Sequence, residues 1–250
     1  MAPKPSMLEA IANRLGLGPR WRGWRRRLLR PGWLAAGRRL QPLSDEWGMD
    51  RGAPVDRVYI ERFLAAHAAD IHGDVLEIKD RTYTQRFGHY IQRADVLDIN
   101  AANPQATLVA DLTAAGHLPG SQFDCCLVTQ TLQFIYDTPA AVRHLHRLLR
   151  PGGVLLVTVP SISRIAPRYG LTGDYWRFTA AGCQALFGAV FGPAQVAVES
   201  FGNVWAAQAF LTGLAQSELP PRALAANDPY FPVIIAVRAV KAAADPAPHA

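Results

Sequence analysis

The sequence predicts an α/β protein: a doubly wound, mostly parallel seven-stranded sheet with flanking helices. Three observations carry this expectation. Seven short apolar runs, DVLEI, ADVLDI, TLVA, FDCCLVT, VLLVTVP, QVAVESF and PVIIAVRAV, are separated for the most part by segments whose apolar residues recur at helical spacing. The run VLLVTVP shows almost no polar alternation, as befits a strand buried on both faces of a central parallel sheet. A chain of 250 residues, 50% of them hydrophobic, is long enough to bury one large core.

Each element has its own local signal. Residues 6–16 space Met7, Ile11 and Leu15 on one stripe of a short helix ended by Gly16. A loop over 41–54 leads to a helix that begins at Pro54, presents Val55, Val58, Tyr59, Phe63 and Ala66 on one face, runs to about Asp70 and closes at Gly73. Strand 74–78, short helix 82–88, strand 94–99, strand 107–110 and strand 123–129 come next. Thr138 and Pro139 open the following helix as cap and first residue, Val142, Leu145 and Leu149 bury its inner face, and RPGG stops it before VLLVTVP. Thr179 caps AAGCQALFGAVF, QVAVESF follows as a strand, and a helical insertion over 203–217 with a proline-rich loop to 230 precedes the last strand. The expected organisation is a basic arm over 1–45, one domain over 46–241 and a disordered tail over 242–250.

The net charge of +6 is concentrated in residues 20–39, where Arg20, Arg22, Arg25, Arg26, Arg27, Arg30, Arg38 and Arg39 stand with no acid among them. Trp21, Trp24 and Trp33 interleave with these arginines, a mixture suited to an anionic membrane surface, an acidic partner such as a pathway enzyme, or nucleic acid. It equally suits a solvated arm docked on its own domain. No nucleic-acid module accompanies the arm, which makes nucleic acid the least favoured partner. No run reaches the ~20 apolar residues of a membrane span and no apolar secretory segment opens the chain, so the expected location is cytoplasmic, with peripheral membrane contact through the arm. Cys125, Cys126 and Cys183 have neither disulfide nor zinc spacing and read as small core residues of a reducing compartment, and no metal site is expected.

The chemistry gathers between residues 74 and 111. Glu77 ends one apolar run and Asp98 stands near the end of the next, 21 positions on, the separation between a first strand and an acidic residue that grips a ribose. Lys79, Arg81 and Tyr83 stand where glycines would let backbone approach a cofactor.

From about Asp74 to Val240 the chain resembles the class I S-adenosylmethionine-dependent methyltransferases, in particular their type-11-like branch, whose fold is Rossmann-like. DVLEI looks like the first motif strand, VLDIN the second, ADL at 110–112 the third, FDCCLVTQTLQFIYD the fourth, and LLRPGGVLLVTVP the fifth with its crossover helix; DYWRFTAAGCQALF also recurs in such proteins. The resemblance implies S-adenosylmethionine as cofactor, with Asp98 on the ribose hydroxyls, Asp111 on the adenine amino group, Ile99 and Leu112 beside them, and Thr129 and Gln130 where cofactor and substrate meet. Glu77 belongs to the same set, either toward the methionyl amine or as a partner of loop amides. The family's E-x-G-x-G-x-G pattern is absent at Lys79, Arg81 and Tyr83, so the loop must take another path or the cofactor must sit differently, and family roles are not carried to those positions. A dinucleotide needs glycine backbone against its pyrophosphate, whereas S-adenosylmethionine has no phosphate, and its carboxylate suits Lys79 or Arg81.

Substrate candidates lie where the strands end: Gln130, Tyr136, Arg164, Tyr169, Asp174, Tyr175 and Trp176, of which Tyr136, Tyr175 and Trp176 are the substrate-binding set. His144 and His146 point to different helix faces, and His117 sits in a loop near the expected adenine edge. The 54–63 helix is read as a cover for the sheet edge, with a cofactor lid through Asp56, Arg57, Tyr59 and Glu61 as the alternative. The function expected from the resemblance is O-methylation of a small-molecule or sugar-containing acceptor. The competing reading is a methyltransferase-like scaffold without catalysis, and a nicotinamide or nucleotide-sugar enzyme is a distant third.

Overall fold

The computed structural model describes residues 40–243. The expected helix over 6–16, the arginine-rich segment 20–39 and the tail beyond 243 lie outside the described residues. The strands are β1 (Gly73–Ile78), β2 (Ile91–Asp98), β3 (Leu108–Val109), β4 (Phe123–Thr129), β5 (Leu149–Pro160), β6 (Val196–Phe201) and β7 (Ile234–Val240). They form one seven-stranded sheet in the order β3-β2-β1-β4-β5-β7-β6. β1 to β5 pair in parallel, and β7 is antiparallel to both β5 and β6. The helices are α1 (Val55–Ala66), α2 (Thr82–Phe87), α3 (Thr138–Leu148), α4 (Ala180–Phe191), α5 (Val204–Thr212) and α6 (Pro221–Ala225).

The continuous apolar runs find partners on both faces. Val75, Leu127, Leu156 and Ala236 pack with Tyr59, Phe63 and Phe210 on one face, while Leu76, Cys126, Val128, Leu155 and Ile235 pack with Leu145 and Phe187 on the other. Successive residues of each strand enter opposite cores, which is why no polar alternation is tolerated. The chain winds outward from β1 to β3 and then returns to β4 beside β1. Connections therefore leave β1 and β4 in opposite directions, opening a crevice at their carboxyl ends.

Local signals set several boundaries differently from the expectation. α1 stops at Ala66 and a 3-10 turn follows over Ala68–Asp70, because Arg238 of β7 draws the Asp70 carboxylate in with two bonds of 2.8 Å. The cap of α3 is Asp137, not Thr138: its Oδ1 accepts the Ala140 amide at 2.9 Å, and Thr138 is the first helical residue. An ionised oxygen is the stronger acceptor for an unpaired first-turn amide. Thr179 does cap α4, its Oγ1 accepting the Gly182 amide at 3.1 Å. RPGG forms the opening of β5 itself, where the pairing slips from Phe123↔Leu149 to Cys125↔Val154. The insertion is α5, a 3-10 turn over Gln216–Glu218, and α6.

The segment before α1 is tied to this insertion. Arg51, 2% exposed, donates from Nε and Nη2 to the Glu218 carboxylate at 2.9 and 2.6 Å, and the Leu43 amide donates to the Thr212 carbonyl at 2.7 Å. Trp47 reaches across to donate from Nε1 to Ser163 Oγ at 3.2 Å. α1 is thereby held against the sheet, and since it leads back to the start of β1, its first turn lies over the carboxyl edge.

Candidate active site

β1 ends at Ile78, and the chain turns at Lys79 with φ of +77°. A left-handed backbone is the one glycine adopts without cost, so the lysine keeps a glycine conformation while adding a side chain. The loop holds it there: the Lys79 amide donates to the Leu97 carbonyl at 2.9 Å, and its carbonyl accepts Asn103 Nδ2 at 2.7 Å. Arg81 has φ of −112° and precedes α2, and Tyr83 is buried inside that helix. The left-handed backbone is thus confined to Lys79 within this loop.

Glu77, 2% exposed, fixes this turn from below. Its Oε1 accepts the Tyr83 amide at 3.0 Å, and its Oε2 accepts the Thr84 amide at 2.8 Å and the Thr84 hydroxyl at 2.7 Å. Burial pushes its carboxyl up, against the hydrogen bonds from Thr84 and Tyr83, which favour the ionised form. The carboxylate is committed to the start of α2.

Asp98 ends β2 with Oδ1 accepting the Asn100 amide at 3.0 Å and Oδ2 accepting Asn103 Nδ2 at 2.7 Å. Asn103 therefore links Asp98 to Lys79, and Ile99 stands 69% exposed beside them. Asp111, exposed after β3, accepts the Thr113 amide and hydroxyl at 2.8 Å on Oδ1, and Leu112 is buried below it. Thr129 closes β4 opposite Thr158. Gln130 comes next with φ of +47°, its amide donating to the Thr158 carbonyl at 2.8 Å.

Five side-chain atoms on this half of the molecule are buried without a partner: Asp56 Oδ1 and Tyr59 Oη on α1, Gln130 Nε2 and Gln133 Oε1 after β4, and Thr158 Oγ1 on β5. Arg147 Nε completes that set among the described residues. Buried polar groups are nearly always hydrogen-bonded, so each of these atoms is one that a ligand or an ordered water can satisfy. Of these residues, only Gln130 stands in the expected binding sets. Asp56 and Tyr59 belong to the cofactor lid that is the alternative reading of the 54–63 helix, whereas Gln133 and Thr158 carry no local mark that sets them apart.

The substrate candidates meet in space. Tyr136 and Tyr175 are edge-to-face at 5.4 Å, Tyr136 and Trp176 stack at 5.8 Å, and the three are 70%, 46% and 38% exposed. The loop carrying Tyr175 and Trp176 is anchored when both amides donate to the Gln133 carbonyl, at 2.8 and 3.3 Å. Asp174 secures it further, accepting the Ala166 amide at 2.9 Å and two Arg177 nitrogens at 2.6 and 2.9 Å. Tyr169 stacks on Phe134 at 3.9 Å, while Arg164 turns away to Asp45 and the face of Trp47. His117 lies exposed in a 3-10 turn. All three cysteine thiols are buried and pushed up by desolvation, and no cluster of metal-ligating side chains occurs among the described residues.

Residues 62–157 match a family model described as a methyltransferase domain. Comparison with curated proteins gives no match. Among solved structures, an S-adenosylmethionine-dependent methyltransferase from Mesorhizobium loti superposes with a TM-score of 0.50 at 16% identity, covering 74% of this chain and 99% of that one. Phosphoethanolamine N-methyltransferase 2 from Haemonchus contortus, solved with phosphomonomethylethanolamine and S-adenosylhomocysteine, gives 0.50 at 14% identity over 85% of this chain and 56% of that one. At such identities the likeness is one of fold. Matched segment, strand order and superposition agree: residues 62–157 match the methyltransferase domain model, and the chain carries the class I S-adenosylmethionine-dependent methyltransferase fold.

Proposed function

We propose that the protein transfers the methyl group of S-adenosylmethionine to an oxygen of a small-molecule or sugar-containing acceptor. The observation that carries this reading is the carboxyl edge itself: a glycine-like turn at Lys79, the Asp98 carboxylate tied to that turn through Asn103, and the unpartnered buried atoms Gln130 Nε2, Gln133 Oε1 and Thr158 Oγ1 across the crevice. Such donors and acceptors fit a ligand that is polar at several points and bears no phosphate. When bound, the cofactor supplies an electrophilic methyl group on a sulfonium.

In this reading Asp98 accepts the ribose hydroxyls, Asp111 accepts the adenine amino group, and Ile99 and Leu112 bracket the base. Lys79 meets the methionyl carboxylate with a charge-assisted bond. Glu77 acts indirectly, since its oxygens already hold Tyr83 and Thr84. Thr129 and Gln130 stand beside the transfer point, and Tyr136, Tyr175 and Trp176 offer ring faces to the acceptor. Methyl transfer asks the protein mainly for alignment and exclusion of water, so no catalytic triad is required.

Calorimetric titration of the full chain with S-adenosylmethionine tests the reading. Micromolar binding that Asp98→Ala weakens at least tenfold supports it; folded protein that binds none supports the scaffold, whose motive is the missing glycines. The arginine and tryptophan segment 20–39 supports a further contact with an anionic membrane surface or a pathway enzyme. No helix among the described residues is long and apolar enough to cross a membrane, so such contact is peripheral in this reading. Flotation of the intact chain with anionic liposomes, beside a chain lacking residues 1–40, is expected to lift only the former. Equal recovery of both in the soluble fraction overturns the membrane contact.

A further inference from the structure

Asp56 is a half-buried acid with one unexplained buried oxygen. It lies in the first turn of α1 over the carboxyl edge, and its Oδ1 is shielded from solvent with no partner. Burial pushes the carboxyl up, opposed by the Arg57 charge and by the amides of Arg57 and Asp56. The neighbouring cation does not neutralise that oxygen: Arg57 directs Nη1 to the Tyr83 hydroxyl and lies over the Tyr83 ring with its central carbon 5.7 Å from the centroid. That contact places the first turn of α1 against α2 and the loop that opens at Lys79. The other charged groups near the Arg57–Tyr83 pair are Glu61 on α1, bonded to Arg86, and Asp80 in the loop, whose Oδ1 accepts the Thr82 amide.

A buried carboxylate oxygen without a donor is costly, and the cost disappears when a cation with N–H groups enters. On the proposed reading, the amino-acid end of the cofactor is a zwitterion that lies beside this same loop. Its carboxylate has Lys79. Its ammonium lacks the obvious partner, because all the contacts of Glu77 go to Tyr83 and Thr84.

We propose that Asp56, from outside the matched domain segment, receives the α-ammonium of S-adenosylmethionine, so that α1 closes the cofactor site as well as covering the sheet. The proposal rests on the methyltransferase reading. With Lys79 it forms a pair of opposite charges matched to a zwitterion, a grip built from side chains where backbone of a glycine loop is missing.

The test uses the full chain and two calorimetric probes: S-adenosylhomocysteine, which has the amino-acid end, and 5′-methylthioadenosine, which lacks it. Asp56→Asn is expected to weaken S-adenosylhomocysteine about tenfold to a hundredfold, the effect of one charge-assisted bond, while 5′-methylthioadenosine changes less than about twofold. The same loss for both probes, or no loss for the first, overturns the proposal. Melting temperature separates a structural role: an acid kept only to complement the helix start lowers it when neutralised, whereas removal of an unpaired buried charge leaves it unchanged or raised. Should the variant fail to fold, the native protein still decides. S-adenosylhomocysteine lacking its amino group is expected to bind at least tenfold more weakly than the parent, and equal affinity overturns the assignment. Native protein that binds none of these nucleosides overturns the methyltransferase reading itself, which sets that failure apart.

Discussion

Lys79→Gly separates two roles that share one residue. The backbone at Lys79 has φ of +77°, a conformation that costs a side-chain-bearing residue about 1–3 kcal/mol. Glycine removes that strain but returns about 0.5–1 kcal/mol through the greater freedom of the unfolded chain. The net change is then between about 0 and 2.5 kcal/mol in favour of the variant, and ~2–4 °C in Tm accompanies each kcal/mol for a domain of this size. The side chain is exposed and the loop is held through the Lys79 amide and carbonyl, so removing the ammonium breaks neither bond. Cofactor affinity moves the other way: loss of a charge-assisted bond of about 1.5–3 kcal/mol weakens binding roughly tenfold to a hundredfold. Thermal melting and titration with S-adenosylmethionine read the two effects separately. Lys79→Ala keeps the strain and loses the ammonium, so it is expected to match the glycine variant in affinity and fall below it in Tm. A glycine variant that melts several degrees lower refutes the strain argument. One that binds as tightly as the native chain refutes the grip.

Two further predictions concern the amino edge of the sheet and the loop after β5. Gly73 has φ of +66°, and a Cβ there runs into the Asp124 carboxylate, so Gly73→Ala is expected to cost about 1–3 kcal/mol, visible as a lower denaturation midpoint; an unchanged midpoint shows that the turn relaxes freely. In Asp124 burial raises the carboxyl, but the Asp74 amide and Arg150 hold it below the ordinary range; in Asp174 burial is likewise outweighed by Arg177 and the Ala166 amide. A depressed folded value means that the stabilisation is present above the unfolded value and is lost as pH falls through the folded one. The native chain is therefore expected to lose stability below about pH 4, and Asp174→Asn to show a shallower acid limb in chemical denaturation from about pH 2 to 6. Identical limbs refute the assignment.

Side chains hold the turn in this chain without motif glycines. Glu77 holds α2 from beneath, Asn103 ties Lys79 to Asp98, and Arg57 ties α1 to Tyr83. The outcome is a turn fixed by side chains.

The amino-acid sequence alone determined the seven strands, the helices between them and the acids at the strand ends, because hydrophobic periodicity, proline and glycine act within a few residues. It also carried the aromatic set Tyr136, Tyr175 and Trp176, though not the anchoring of Tyr175 and Trp176 on the Gln133 carbonyl across some 40 residues of chain. Competition between neighbours was less legible: Asp137 took the cap from Thr138 because the stronger acceptor was one place earlier. Only the tertiary structure decided the rest. Lys79 adopts a left-handed backbone because Leu97 and Asn103, distant in sequence, take its amide and carbonyl; Glu77 is committed to α2; and the Asp56 oxygen is buried and unpaired because α1 folds back over the carboxyl edge. Such properties belong to the surroundings of a residue, and surroundings exist only once the chain has closed on itself.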